Sequence, residues 1–208
     1  MLRVGLTGGL ASGKSTVARM LEQHAIPVLD ADQVARQLLN PGTPTYQEVV
    51  RVFGPEILTT GEPRVIDRSK LAAIAFDEAR PRVSELNSIV HPAVIAEEER
   101  WIAQLGKQHP NAIAVVEAAL LFEAGSEKRF DKMIVITAPE EVRVQRFAER
   151  AGTSKAKEEA RRRIAVQMPE AEKTARADYV LENGGSIAEL STRVDELLAS
   201  LRRDAAAS

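Results

Sequence analysis

The chain has 208 residues, 44% of them apolar and 28% charged, which is ordinary for a globular protein and enough to bury one sizeable core. Its 28 basic and 30 acidic residues leave a net charge of −2, which argues against a nucleic-acid binder that works by phosphate neutralisation. The absence of cysteine excludes disulfides and thiolate metal sites and favours a reducing, cytoplasmic setting; no stretch reaches the roughly 20 apolar residues of a membrane span, and Met1–Leu6 lacks the apolar run of a secretory signal.

Val4–Thr7 reads as the first strand. It runs into Gly8-Gly9-Leu10-Ala11-Ser12-Gly13-Lys14-Ser15, which fits G-x-x-x-x-G-K-[ST] at every fixed position, and a helical stretch over Ser15–Gln23 follows. Glycines let the backbone turn tightly and aim N–H groups at phosphates, and the helix N-terminus adds partial positive charge. Lys14 can reach the β- and γ-phosphates of ATP, and the Ser15 hydroxyl can ligate Mg²⁺, with Thr16 completing the nucleotide-binding set. An ordinary Gly-rich turn is the plain alternative; agreement of motif and context favours the nucleotide.

Pro27–Leu29 reads as the second strand, followed by Asp30-Ala31-Asp32 and a helix over Ala31–Leu39. Ligands of parallel sheets bind beyond the carboxyl ends of strands, so a carboxylate here can take the proton of an attacking hydroxyl or hold Mg²⁺ through water. Asp32 is the candidate base. Asp30 is open between a metal role and capping the helix.

Residues 40–110 carry helical patterns broken by Asn40-Pro41-Gly42, Gly54-Pro55 and Gly61-Glu62-Pro63, with no convincing buried strand. Asp67 is a plausible N-cap for a helix through Phe76, and His91-Pro92 marks a predicted helix start. A lone histidine such as His91 is more often structural than functional, and His24 and His109 read as ordinary loop or helix-end residues. Ile113–Val116 is the third strand, ending on Glu117, where many phosphate-loop proteins carry an acidic group near Mg²⁺; a strand-end charge facing water is the alternative.

Met133–Thr137 is the fourth strand, followed by Pro139-Glu140-Glu141 as a first helical turn. Residues 146–176 are dense in charge and helical. Arg146, Arg150 and Arg163 there offer planar forks for phosphate oxygens. In the run Arg161-Arg162-Arg163 adjacent side chains diverge, so at most one or two reach any one ligand. Tyr179–Leu181 is the fifth strand, and Ser186 with Glu189 forms a capping box before Leu190, Val194 and Leu197.

Strands alternating with helices predict an α/β, three-layer fold around a five-stranded parallel sheet. The expected organisation is a nucleotide-binding core (1–39, 111–145 and 177–208), a helical acceptor-binding insertion (40–110) and a small helical lid (146–176).

The carrying segments together resemble the dephospho-coenzyme A kinase family over nearly the whole chain. They are Gly5-Leu6-Thr7-Gly8-Gly9, Val28-Leu29-Asp30-Ala31-Asp32 with Ala35-Arg36, Asn40-Pro41-Gly42, Asp67-Arg68 and Ile89-Val90-His91-Pro92. Further on stand Leu120-Leu121-Phe122-Glu123, Arg163-Ile164 with Gln167, Lys173, Ala177-Asp178 and Asn183-Gly184. The resemblance implies transfer from ATP, with Mg²⁺, to the ribose 3′-hydroxyl of dephospho-coenzyme A. It implies Asp32 as catalytic base, Arg146 or Arg150 as lid arginines, and Asn183-Gly184 near the adenine. It also implies Arg68, His91, Leu121, Glu117 and Asp32 around the acceptor. The implied partners are small molecules, not nucleic acid or membrane, with a monomer or weak homo-oligomer as the working state.

The chain departs from the family pattern where Ala11 and Ala119 replace a frequent Gly and Pro, and Gly152–Arg162 is about two residues longer. The Ala11 methyl is tolerated if its φ is negative. Another small-molecule kinase is the nearest rival; a shikimate kinase would carry a Gly-rich acceptor loop where Glu117-Ala118-Ala119-Leu120 stands. A GTPase lacks support because no Asn/Thr-Lys-x-Asp segment is present. A non-catalytic ATP sensor is the rival from a different class.

Overall fold

The computed structural model describes residues 1–207 and divides into two compact units: Met1–Asp30 with the chain from Ile102 onward, and Ala31–Trp101.

The first unit is built on five strands: β1 (Leu2–Gly8), β2 (Val28–Asp30), β3 (Ile113–Glu117), β4 (Lys132–Thr137) and β5 (Tyr179–Glu182). They lie in the order β2-β3-β1-β4-β5, and every pairing is parallel. Parallel strands need long crossovers, and the helices of those crossovers cover both faces. That is why β1 reads as an apolar run rather than an alternating one: Val4, Leu6 and Thr7 are all fully buried.

One face packs on α1 (Lys14–Gln23) and α9 (Ile187–Ala207). Val17 and Leu21 of α1, with Leu190, Val194, Leu197 and Leu201 of α9, meet Val4, Leu6, Val115, Ile134 and Ile136. Each such side chain contributes about 1.5–3 kcal/mol of transfer free energy. The opposite face holds Leu121, Phe122, Met133 and Val135, with Met168 and Ala177 against them. The α/β three-layer architecture with a five-stranded parallel sheet is therefore the one expected.

Three further helices complete this unit: α6 (Glu140–Ala151), α7 (Ala156–Ala165) and α8 (Glu170–Ala175). Pro139 takes the cap position before α6 rather than its first turn, since its ψ of 140° is extended. The capping box of α9 forms as expected: Glu189 N donates to Ser186 Oγ at 3.3 Å, and Ser186 N donates to Glu189 Oε2 at 2.8 Å.

The second unit holds α2 (Ala31–Leu38), α3 (Pro44–Phe53), α4 (Arg68–Ala75) and the start of α5 (Val83–Gln108). Its core is Val49, Phe53, Ile57, Leu71 and Ala75, with Leu86, Ile89 and Val90 packed on it. Asp67 caps α4, accepting from Ser69 N at 2.9 Å and Lys70 N at 3.3 Å.

One sequence expectation fails here. Pro92 does not start a helix; it lies inside the 26-residue α5. Proline removes one backbone bond to the residue four earlier, a cost of about 3 kcal/mol in an ordinary helix. Leu86, Ile89 and Val90 before it and Val94 after it bury the flanking turns. Pro92 itself is exposed, so the carbonyl it leaves unpaired can reach water.

Candidate functional site

The phosphate-binding loop spans the end of β1 and the first turn of α1. The first amides of α1 have no intrahelical acceptor, which makes this end of the helix an anion site. Gly13 stands at φ +101°, and a Cβ there would lie 2.0 Å from Asn183 Nδ2. Only glycine satisfies both the turn and that close approach.

Lys14 folds back over the loop, its ammonium donating to Gly8 O at 3.0 Å and to Gly9 O at 3.5 Å. Ser15 is exposed in the first turn of α1, and Thr16 follows it half-buried. Ser12 is fully buried, and its amide donates to Gly9 O at 3.2 Å. Ala11 adopts φ +57°, in the left-handed region. The condition of a negative φ, under which the methyl would be freely tolerated, is not met, and the methyl is carried at a conformational cost.

Asn183, at the end of β5, is buried. Its amide donates to Ser12 O at 2.8 Å, and its oxygens take Arg146: NH1 donates to Asn183 O at 2.9 Å and NH2 reaches Oδ1 at 3.4 Å. The side chain is thus a brace between loop and α6, with its polar ends committed. Arg150 is exposed on the same helix, its Nε donating to Arg146 O at 3.2 Å.

Asp30 and Glu117 are register partners at the carboxyl ends of β2 and β3, and Leu6 pairs with Glu117 on the other side. The sheet therefore sets two half-buried carboxylates side by side on β2 and β3, the second of which adjoins the phosphate loop's own strand. Their oxygens, with the Ser15 hydroxyl, are the hard donors that Mg²⁺ accepts alongside water and phosphate. No group of three or more His, Cys, Asp or Glu forms a metal cage among the described residues.

The remaining expected residues lie in the second unit. Asp32 is exposed in the first turn of α2, Arg68 is exposed at the first position of α4, and His91 is exposed in mid-helix on α5. Leu121, by contrast, belongs to the first unit's core at 4% exposure, while its neighbour Leu120 is exposed.

The arginine run of α7 is occupied by ion pairs. Arg161 reaches Glu141 at 3.0 Å, and Arg162 and Arg163 both pair with Glu159. The hydrogen bond from Arg163, helped by the charges of Arg162 and Arg163, holds the Glu159 carboxyl below its ordinary range. Arg163 also covers the Phe147 ring at 5.5 Å. Its Nε is engaged by Glu159.

Sequence reasoning gave no role to a second set of residues around the loop. Arg143 is buried on α6; its Nε donates to Leu10 O at 2.9 Å, and NH1 pairs with Glu170 at 3.3 Å. Gln167 Oε1 accepts from Leu10 N at 2.9 Å. Lys173 is 2% exposed, with its ammonium 2.6 Å from Glu123 Oε1 in a contact that is an ion pair rather than a well-aligned hydrogen bond. One signal was available for Arg143: it sits four residues before Phe147 and beside Val144, on the inward stripe of an amphipathic helix.

Comparison with known proteins shows the family to which the chain is similar. A family profile described as dephospho-CoA kinase matches residues 2–189. The dephospho-CoA kinase of Geobacillus kaustophilus is 44% identical over 190 residues, covering 89% of each chain. That of Carboxydothermus hydrogenoformans is 44% identical over 200 residues, covering 96% of this chain and 93% of its own. The structure of the dephospho-CoA kinase from Campylobacter jejuni superposes with a TM-score of 0.71 at 25% identity, covering 97% of this chain and 98% of that one.

Proposed function

The chain belongs to the dephospho-CoA kinase family, and from that premise we propose that it transfers the γ-phosphoryl group of ATP to the ribose 3′-hydroxyl of dephospho-coenzyme A, the last step in making coenzyme A. The observation that carries the reading is the complete phosphate loop, Gly8–Ser15, set between β1 and α1 beside the paired carboxylates of β2 and β3.

Phosphoryl transfer asks the protein mainly for positioning and charge neutralisation. The amides of the loop and of the first turn of α1 cradle the triphosphate. Lys14 exchanges its carbonyl partners for β- and γ-phosphate oxygens, which are stronger acceptors. Ser15 would hold Mg²⁺, with Asp30 or Glu117 assisting through water, and the ion would supply neutralisation of the phosphate charge. Asp32, two residues past the end of β2, accepts the proton of the 3′-hydroxyl as the new P–O bond forms and the bond to the β-bridging oxygen breaks. Arg68 and His91 serve the acceptor from the helical unit, and Leu121 shapes the wall after β3. The backbone at Asn183-Gly184 lies near the adenine while the Asn183 side chain braces the loop. Residues 146–176 act as the lid. Of its two α6 arginines, Arg150 has the exposed guanidinium suited to reach phosphate, and Arg146 carries Asn183. The reading carries with it a cytoplasmic setting, small-molecule partners only, and a monomer or weak homo-oligomer.

The test is ADP release with ATP and Mg²⁺, with and without dephospho-coenzyme A, with shikimate and nucleoside monophosphates as competing acceptors. ADP formation that depends on dephospho-coenzyme A and yields coenzyme A is expected. ATP binding without that dependence would discard the acceptor.

A further inference from the structure

The tip of the phosphate loop is held by residues that belong to neither the loop nor α1. Leu10 has both its N–H and its C=O bonded to side chains from far along the chain. Gln167 Oε1 takes the N–H at 2.9 Å, and Arg143 Nε donates to the C=O at 2.9 Å. Those partners lie 157 and 133 residues away.

A cavity of about 300 Å³ lies beside Gly9, walled by Arg143, Ile164, Gln167, Glu170 and Lys173. On this side the loop's shape rests on the two hydrogen bonds to Leu10. Gly9 itself admits the guanidinium, since a Cβ there would lie 2.5 Å from an Arg143 nitrogen.

The two tethers are themselves anchored. Arg143 is buried and paired with Glu170 of α8. Gln167 sits in the turn between α7 and α8, where Met168 N donates to Glu123 Oε1 at 3.4 Å and Gln167 N donates to Ile164 O at 3.1 Å. Glu123 in turn holds the buried ammonium of Lys173. The chain of contacts runs from Leu10 through Gln167 and its turn to the Leu120–Glu123 segment after β3.

We propose that Gln167, assisted by Arg143, is a positioning residue for phosphoryl transfer: it pins Leu10 so that the amides at the start of α1, from Gly13 to Ser15, stay aimed at the triphosphate. The proposal rests on the ATP-binding reading of the loop. In this role Gln167 acts through the backbone of Leu10. With the tether in place the loop is pre-organised, and its ordering cost is met at folding rather than at binding.

The experiment uses the full chain carrying Gln167→Leu and, separately, Gln167→Ala. Calorimetry measures the affinity for Mg²⁺ with a non-hydrolysable ATP analogue, and native-state hydrogen exchange follows the Leu10 amide. Both variants are expected to weaken analogue affinity about fivefold, the factor one neutral hydrogen bond is worth. Exchange at Leu10 speeds up about tenfold or more while Val4 and Leu6 in β1 stay protected, and KM for dephospho-coenzyme A is unchanged. Gln167→Glu keeps an acceptor oxygen and is expected to retain slow exchange at Leu10. A merely structural glutamine would lower the melting temperature without moving the analogue affinity or the Leu10 exchange of the folded protein, and that result would overturn the proposal. Wild-type protein that binds no analogue would overturn the ATP reading itself; unchanged affinity in the variants beside normal wild-type binding would overturn only the tether.

Discussion

Ala11→Gly should make this protein more stable, and the reason is local backbone strain. Ala11 holds φ +57° in the loop. For a residue with a Cβ that conformation costs about 1–2 kcal/mol. The backbone on both sides prevents relaxation: Leu10 is tethered by Gln167 and Arg143, and Ser12 is buried with its carbonyl held by Asn183. Glycine removes the strain but returns about 0.4–1 kcal/mol to the unfolded chain as entropy. The difference is about 0.5–1 kcal/mol in favour of Ala11→Gly. At about 2–4 °C per kcal/mol for a chain of 208 residues, the melting temperature rises by about 1–4 °C. Scanning calorimetry, with urea titration alongside, reads the change. Ala11→Val is the companion, since a β-branched side chain fits this region worse, and it should lose more than about 1 kcal/mol. A melting temperature that falls in Ala11→Gly, or an Ala11→Val variant as stable as the wild type, would refute the strain argument.

Four more perturbations address the site and its supports. Asp32→Asn should lose orders of magnitude in kcat while ATP binding survives; an unchanged kcat removes Asp32 from the role of base. Lys14→Ala should weaken nucleotide binding and turnover together, and normal activity in that variant would contradict the assignment of the loop. Glu123→Gln removes the carboxylate 2.6 Å from the Lys173 ammonium, which is 2% exposed, so stability should fall by about 3 kcal/mol; a loss under about 1 kcal/mol in urea titration would show that the pair is not what secures α8. The Tyr179 phenol is pushed up to about 12 by the hydrogen bond it donates to Asp204 at 2.6 Å, then by burial and the Asp204 and Asp178 charges. Its folded value exceeds the ordinary 10.0, so its contribution is fully present below pH 10.0 and is lost as pH rises toward about 12. Urea midpoints measured across that window should fall in the wild type and fall less in Tyr179→Phe.

Features set by neighbouring residues were legible in the sequence. The phosphate loop, its preceding strand and following helix, the Asp67 cap and the Ser186–Glu189 box all depend on contacts within a few positions, and each stands where its residue pattern puts it. The alternation of buried strands and amphipathic helices likewise fixed a parallel sheet, because parallel strands need helical crossovers. Pro92 misled because local propensity for a helix start yielded to tertiary burial of the turns around it. The φ of Ala11 was not legible in the sequence, because it departs from alanine's own preference in a loop whose neighbours Leu10 and Ser12 are bonded to distant side chains. The supports of the loop were invisible for a related reason. Arg143, Gln167 and Asn183 reach it across 133 to 171 residues of sequence, and arginine, glutamine and asparagine are ordinary surface residues by composition. What the sequence alone determined is the chemistry of the loop and the class of fold, since both are written in short-range pattern. Which distant side chains hold that loop in shape was decided by the tertiary structure, because a hydrogen bond between remote segments exists only once the sheet and its helices have brought them within 3 Å.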